Sequence, residues 1–212
     1  MIGDGALTFR EFVMRESTPL SAIHQAVLEF LRGRDDAVLY GAQAVNAYVD
    51  EPRMSQDVDL LSTRAASLAE EIRAHLHARF DIAVRVRRVA GGAGHRVYQV
   101  REPKNRHLVD IRLVESLPAA QRVDELAVMT PVELICAKVQ SMVNRPKTAK
   151  GLTDEADLRR LLLTFPALKT KIGIVRDRLE TAVVGDDSTG VLSAWERLVE
   201  QEFLPEDDEQ GY

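Results

Sequence analysis

The sequence predicts an α+β fold, and three patterns predict it. Apolar and polar residues alternate over Asp57–Leu61, and again over Ile82–Val86 and His107–Glu115, which is the period of a strand. Between these runs apolar residues return every three or four positions, which is the period of a helix. Beyond Thr130-Pro131 only the helical period remains. Strands and helices therefore share the first part of the chain, and helices alone make up the rest.

The elements follow in order. Residues 1–16 predict a short helix through Phe9, Phe12 and Val13. Thr18-Pro19 reads as an N-cap and first helical position, with Ile23, Ala26, Val27, Phe30 and Leu31 at helical spacing and Gly33 as the stop. Ala37–Tyr40 is an apolar strand leading through Gly41-Ala42 into a short helix, with Ala44, Val45 and Tyr48 on its buried side. Asp50-Glu51-Pro52 breaks that helix. Strand Asp57–Leu61 follows, then a helix from about Ala65 to Arg79. Ile82, Val84 and Val86 alternate with arginine or polar positions, Gly91-Gly92-Ala93-Gly94 turns the chain, and Val97–Val100 returns as the second strand of a hairpin. That glycine cluster joins two strands rather than opening a helix, so it does not read as a phosphate loop.

In the strand at 107–115, Val109, Ile111 and Leu113 share one face, while Leu108, Asp110 and Arg112 share the other. Thr130 caps a helix in which Leu134, Ile135, Lys138, Met142 and Arg145 recur, and Lys138 and Arg145, two turns apart, share a face. A basic loop spans 145–152. Thr153 is expected to cap a helix opened by Asp154, with Leu158, Leu161 and Leu162 buried. A further helix is marked by Leu168, Ile172, Val175, Leu179 and Ala182. The last runs from Leu192 through Trp195 to Phe203 and is ended by Pro205. The acidic residues 206–212 are expected to be disordered.

Composition narrows the function classes. The chain has 212 residues, 45% hydrophobic and 29% charged, as in an ordinary soluble protein. No run approaches the roughly 18–20 apolar residues that span a bilayer, and the N-terminus lacks a secretion signal, so a cytoplasmic protein without a membrane partner is expected. Cys136 is the only cysteine and lies in an apolar helical pattern, so it reads as a small buried hydrophobe. A net charge of −5 argues against a protein that coats nucleic acid. From Arg73 to Arg112, however, basic residues face only Asp81, Glu102 and Asp110. Such a basic stretch suits a local polyanion site; arginines decorating exposed strand faces are the other reading.

The chemistry-bearing residues gather around Gly41 and the two acids that follow. Strand alternation puts Asp57 and Asp59 on one face, their Cβ atoms roughly 6.6–7 Å apart. Flexing inward, two such acids can share divalent ions about 3.5–4 Å apart, the spacing of two-metal phosphoryl-transfer sites. A solvated polar face is the bland alternative. An acid inside an apolar strand is costly unless paired or bound, so Asp110 either completes a three-carboxylate cluster or makes a salt bridge with Arg112 or another arginine. The histidines are scattered without metal-site spacing.

Taken in order, Gly41, Arg53-x-Ser55-x-Asp57-x-Asp59, Asp110, Lys138, Arg145 and Asp154-x-x-Asp157 resemble the AbiEii-type nucleotidyltransferases. These belong to the DNA polymerase β superfamily and include abortive-infection and toxin–antitoxin toxins. The resemblance runs from about Val38 to Leu163. It implies a catalytic lobe over 18–129, a mixed sheet flanked by helices in a nucleotidyltransferase fold, and a C-terminal helical lobe over 130–205. It also implies transfer of a nucleotidyl group from an NTP, with Mg²⁺ in a two-metal site, to an acceptor hydroxyl. By position, Asp57 and Asp59 would hold the metals, and Asp110 would be a third ligand or the base. Gly41 would admit the triphosphate, Ser55 would bond it, Lys138 and Arg145 would contact phosphate or acceptor, and Asp157 would position Lys138 or the nucleotide. The superfamily usually has Gly-Gly or Gly-Ser where this chain has Gly41-Ala42; alanine lacks both the hydroxyl and the backbone freedom, though the backbone N–H groups there remain available to an anion.

Three functions compete. The first is a transferase acting on RNA, above all tRNA, as a toxin with a cognate antitoxin. The second is a transferase acting on an aminoglycoside-like small molecule, and the third a non-catalytic binding module. An acidic approach to the acids would favour a cationic drug, an arginine-lined one RNA; Arg85, Arg87, Arg88 and Arg96 favour RNA.

Overall fold

A computed structural model describes residues 18–182 and 188–203. The expected N-terminal helix at 1–16, Pro205 and the acidic tail lie outside the described residues. The chain divides into two compact units, Met1–Met129 and Thr130–Tyr212.

The first unit is built on a seven-stranded mixed sheet. Its strands are β1 (Ala37–Tyr40), β2 (Val58–Ser62), β3 (Val84–Arg88), β4 (Gly94–Gln99), β5 (Arg106–Leu113), β6 (Ala120–Val123) and β7 (Leu126–Met129), in spatial order β3-β4-β5-β2-β1-β7-β6. β2 runs parallel to β5 and β1 parallel to β7, while every other neighbouring pair is antiparallel. The helices are α1 (Leu20–Leu31), α2 (Gly41–Asn46) and α3 (Ala65–Phe80). α1 and α3 pack on one face of the sheet. There Val58, Leu60, Val97, Val109 and Ile111 are fully buried against Ile23, Val27, Leu68, Ile72 and Leu76, as the period-2 and period-3.6 patterns require. The other face carries the polar residues of the alternation.

Several sequence expectations are corrected in this unit. β6 and β7 form an unforeseen hairpin whose turn residues, Asp124 and Glu125, both have positive φ. A two-residue turn of that kind is normally announced by Asn-Gly; Asp-Glu gives no such signal, and hydrogen bonds from Gly33 N and Arg122 Nη1 to the Glu125 carbonyl (3.0 and 2.8 Å) hold it. α1 begins at Leu20, with Pro19 in the cap position and no side-chain cap. In β5 the alternation slips. Val97 pairs with Val109 but Tyr98 pairs with His107, so Leu108 is a one-residue bulge. Leu108 and Val109 are consequently both buried, while Leu113, expected on the face of Val109 and Ile111, is half exposed at the strand's end.

The second unit holds α4 (Pro131–Asn144), α5 (Ala149–Thr164), α6 (Ile174–Ala182) and α7 (Ser188–Glu200). Thr130 caps α4 through its hydroxyl, as expected. α5 starts a turn earlier than expected, because Thr148 rather than Thr153 is its cap; the tight α4–α5 turn leaves no room for a Cβ at Gly151, which would lie 2.1 Å from the Arg145 carbonyl. The expected 168–182 helix is shorter: Pro166–Leu168 forms a 3₁₀ turn, and Ile172, expected to mark the helix, precedes it and is 85% exposed. Trp195 is buried and donates its indole N–H to the Thr170 carbonyl at 3.1 Å. Cys136 is core, its thiol pushed up to about 12 by burial. No helix among the described residues is long and apolar enough to cross a membrane.

Candidate active site

Two rows of side chains cross the polar face of the sheet. Strand pairing sets the first: Arg87 (β3) faces Arg96 (β4), which faces Asp110 (β5), then Asp59 (β2), then Tyr40 (β1). The second runs from Arg85 through Tyr98 to His107, and His107 meets Asp57 just before β2 begins, Nδ1 to Oδ2 at 3.0 Å. Simple alternation along β5 would put His107 on the face opposite Asp110. The bulge at Leu108 carries it back to the acid side, where its ring also lies 5.3 Å from that of Tyr98. The arrangement is graded in charge, with cations on the outer strands and acids on the inner ones.

Each acid has its own surroundings. Asp110 is largely buried, its side chain 15% exposed, and it accepts a hydrogen bond from Arg96 Nε at 3.1 Å. Asp59 sits against Gly41. That glycine has φ +72°, and a Cβ there would fall 2.1 Å from Asp59 Oδ2, so only glycine allows the carboxylate and the β1–α2 turn to touch. The expectation that Gly41 admits a phosphate is thus joined by an observed reason for a glycine. Ser55 donates its hydroxyl proton to the Asp57 carbonyl at 2.7 Å, fixing the approach to β2. The loop behind it is tied down by Asn46, whose amide bonds both the N–H and the carbonyl of Arg53 (3.1 and 2.7 Å). Ala42 is buried at the start of α2.

Tyr40 and Arg112 were not foreseen as site residues. The Arg112 guanidinium lies 5.4 Å over the Tyr40 ring, and the Tyr40 hydroxyl is buried with no hydrogen-bond partner. Burial, and then the Asp59 charge, push the phenol well above its ordinary range, so it is a proton donor at any physiological pH. A tyrosine ending an apolar strand reads as core, and only the register reveals its place beside Asp59.

Asp57, Asp59 and Asp110 are carboxylates on one face, the donor type that suits Mg²⁺, which usually takes one or two carboxylates and completes its shell with water and substrate phosphates. Among the described residues no group of three or more His, Cys, Asp or Glu side chains converges on a metal position, and two of the acids are turned to His107 and Arg96 instead. The donors fit the ion by chemistry, while their present partners keep them from converging on one position.

In the second unit the expected residues do come together. Lys138 Nζ donates to Asp154 Oδ1 at 2.9 Å and to Asp157 Oδ2 at 2.6 Å. Ser141 donates to the other oxygen of Asp154 at 2.6 Å, and Arg145 Nη2 donates to Ser141 Oγ at 2.5 Å. Lys138, Asp154 and Asp157 are all buried. Asp154, which the motif includes beside Asp157, is an equal partner of Lys138.

Comparison with known proteins gives the family. Residues 25–209 match the family described as nucleotidyl transferase AbiEii toxin, type IV toxin–antitoxin system. The chain belongs to the AbiEii family. It is accordingly a nucleotidyltransferase. No curated protein sequence is detectably similar. Among solved structures, the Megavirus polyadenylate synthase superposes with a TM-score of 0.56 at 14% identity, over 76% of this chain and 35% of that one; the AbiEii chain thus spans about a third of that protein. JHP933 from Helicobacter pylori superposes with a TM-score of 0.53 at 11% identity over 92% of both chains. These likenesses show the nucleotidyltransferase fold.

Proposed function

We propose that this AbiEii protein transfers a nucleoside monophosphate from an NTP to a hydroxyl of RNA, with tRNA the acceptor class, and that it acts as a toxin restrained by an antitoxin. The observation that carries the reading is the row Arg87–Arg96–Asp110–Asp59. The acids are approached across arginines, and a polyanion is drawn to such a surface while a cationic drug is repelled. Arg85 and Arg87 stand on the same face, whereas Arg88 pairs with His95 on the opposite face and takes no part.

The acceptor oxygen attacks the α-phosphorus, the bond to pyrophosphate breaks, and the hydroxyl proton passes to a carboxylate oxygen of Asp110. Asp57 and Asp59 would hold Mg²⁺, which supplies charge neutralisation for the phosphate oxygens. Arg96 is placed to bind the acceptor's backbone beside Asp110. Gly41 keeps Asp59 in place, and Ser55 fixes the strand that presents both acids. In the second unit, Arg145 is a cation for phosphate or acceptor, and the buried Lys138–Asp154–Asp157 cluster holds the helices that carry it.

The test is incubation with each of four labelled NTPs, Mg²⁺ and total tRNA, beside the Asp57→Ala/Asp59→Ala protein. Label on RNA with the native chain alone is the expected result. Nucleotide bound but never passed to RNA would remove the acceptor from the proposal, and equal labelling by the double variant would remove the acids.

A further inference from the structure

Arg112 differs from the other arginines of the polar face. Arg96 is bonded to Asp110, and Arg87 lies over the Tyr98 ring at 5.8 Å, away from the acids. Arg112 is exposed, two residues beyond Asp110 on the same face, and pairs with no carboxylate among the described residues. Its neighbours across the ladders are Leu61 and Gly94. Neither competes for a guanidinium, and Gly94 presents no side chain at all. The guanidinium lies over the Tyr40 ring, within the range of a cation–π contact. A stacked guanidinium keeps its in-plane N–H edges free to donate, which is how arginine grips phosphate in two-point fashion. The Tyr40 hydroxyl adds a second donor without a partner, and leaving such a group buried is unfavourable until something accepts from it. Tyr40 immediately precedes Gly41, whose backbone touches Asp59.

We propose that Arg112, seated on Tyr40, is the phosphate-binding arginine for the triphosphate of the incoming nucleotide, with the Tyr40 hydroxyl donating to the same group. This deepens the transferase reading and rests on it only for the identity of the ligand. Three carboxylates crowd this face and repel a polyphosphate. A cation that none of them neutralises is therefore what the site needs on the nucleotide side, while Arg96, Arg87 and Arg85 lie on the acceptor side. The pair also offers a replacement for the hydroxyl that Ala42 lacks.

The test uses the full chain and two probes, NTP with Mg²⁺ and inorganic tripolyphosphate, the second reporting phosphate recognition without base, sugar or catalysis. Binding of both should weaken about 10–100-fold in Arg112→Ala, from the loss of a charge-assisted bidentate contact. Arg112→Lys should recover part of this and Tyr40→Phe should lose several-fold, with KM for tRNA within about twofold of native in all three. Arg112 is exposed and Tyr40→Phe keeps the ring, so thermal melting should show all variants folded. Unchanged tripolyphosphate binding in Arg112→Ala, or a rise in KM for tRNA instead of NTP, would overturn the assignment; so would a native chain that binds neither probe. Arg112-dependent binding of both probes, with no label transferred to RNA, would support this site while refuting RNA as acceptor.

Discussion

The molecule holds two groups of acids next to cations, and they are built in opposite ways. On the sheet, Asp59 and Asp110 are placed by strand register and Asp57 stands just before β2; all three are part-exposed, with Asp57 meeting His107 and Asp110 meeting Arg96. Between α4 and α5, Lys138, Asp154 and Asp157 are buried and close on one another, with Ser141 taking a remaining oxygen. The same side-chain types thus serve two ends. A buried, mutually satisfied cluster holds helices in a fixed relation, because removing any member strands a charge. A half-open row of acids held by backbone pairing can exchange its partners for a ligand without the fold changing.

The contrast is sharpest if one residue of each group is removed. Asp59→Asn should lower nucleotidyl transfer by about 10³-fold, while moving stability by less than about 1 kcal/mol. Lys138→Met should cost about 3–5 kcal/mol in urea unfolding, and Lys138→Met/Asp154→Leu/Asp157→Leu should regain most of it, since an apolar replacement leaves no buried charge alone. A triple variant no more stable than the single one would break the comparison, showing that the helix cluster is not primarily structural.

Gly41 and Gly33 give a smaller and cleaner test. Both have φ +72°, but a Cβ at Gly33 meets nothing within 4 Å while one at Gly41 strikes Asp59. Alanine at either should cost about 1–2 kcal/mol from backbone strain. Only Gly41→Ala should also lose transferase activity, and equal activity in the two would show that the Gly41–Asp59 contact is dispensable.

The smallest effect concerns Asp36, which lies between the extremes. Its carboxyl is held below its ordinary value chiefly by the hydrogen bond from Arg34, and it is also paired with Arg64. A lowered carboxylate value stabilises the fold above the unfolded value and ceases to do so as pH falls through the folded one. Urea midpoints compared at about pH 5 and about pH 2.5 should therefore fall less in Asp36→Asn than in the native chain. An identical fall would mean that the Arg34–Asp36 pair contributes nothing.

Much of this could be read from the chain, for identifiable reasons. β1 is a short apolar run and β2 and β3 follow apolar alternation, and Asp57, Asp59 and Asp110 stand out because acids are rare in apolar strands. The Lys138 cluster was legible in part because a seven-residue interval returns to one helix face. What escaped depended on pairing rather than pattern. Tyr40 and Arg112 acquire a role only once β1, β2 and β5 lie side by side. The β6–β7 hairpin hides behind a turn without glycine. Thr148 outcompetes Thr153 as a cap because the loop closes earlier, held by the Thr148 hydroxyl bonding the Arg145 carbonyl and the Gly151 N–H (both 3.0 Å).

The bulge at Leu108 also bears on how β5 should be read in other AbiEii chains. One unpaired residue inverts parity: positions after it obey the odd–even rule that places Asp110 and Arg112 together, and positions before it obey the reverse. In a homologue lacking that residue alternation would be unbroken, so the partner for Asp57 should be sought two positions before the equivalent of Asp110 rather than three. A single insertion thus sets which of two neighbouring side chains reaches the acids.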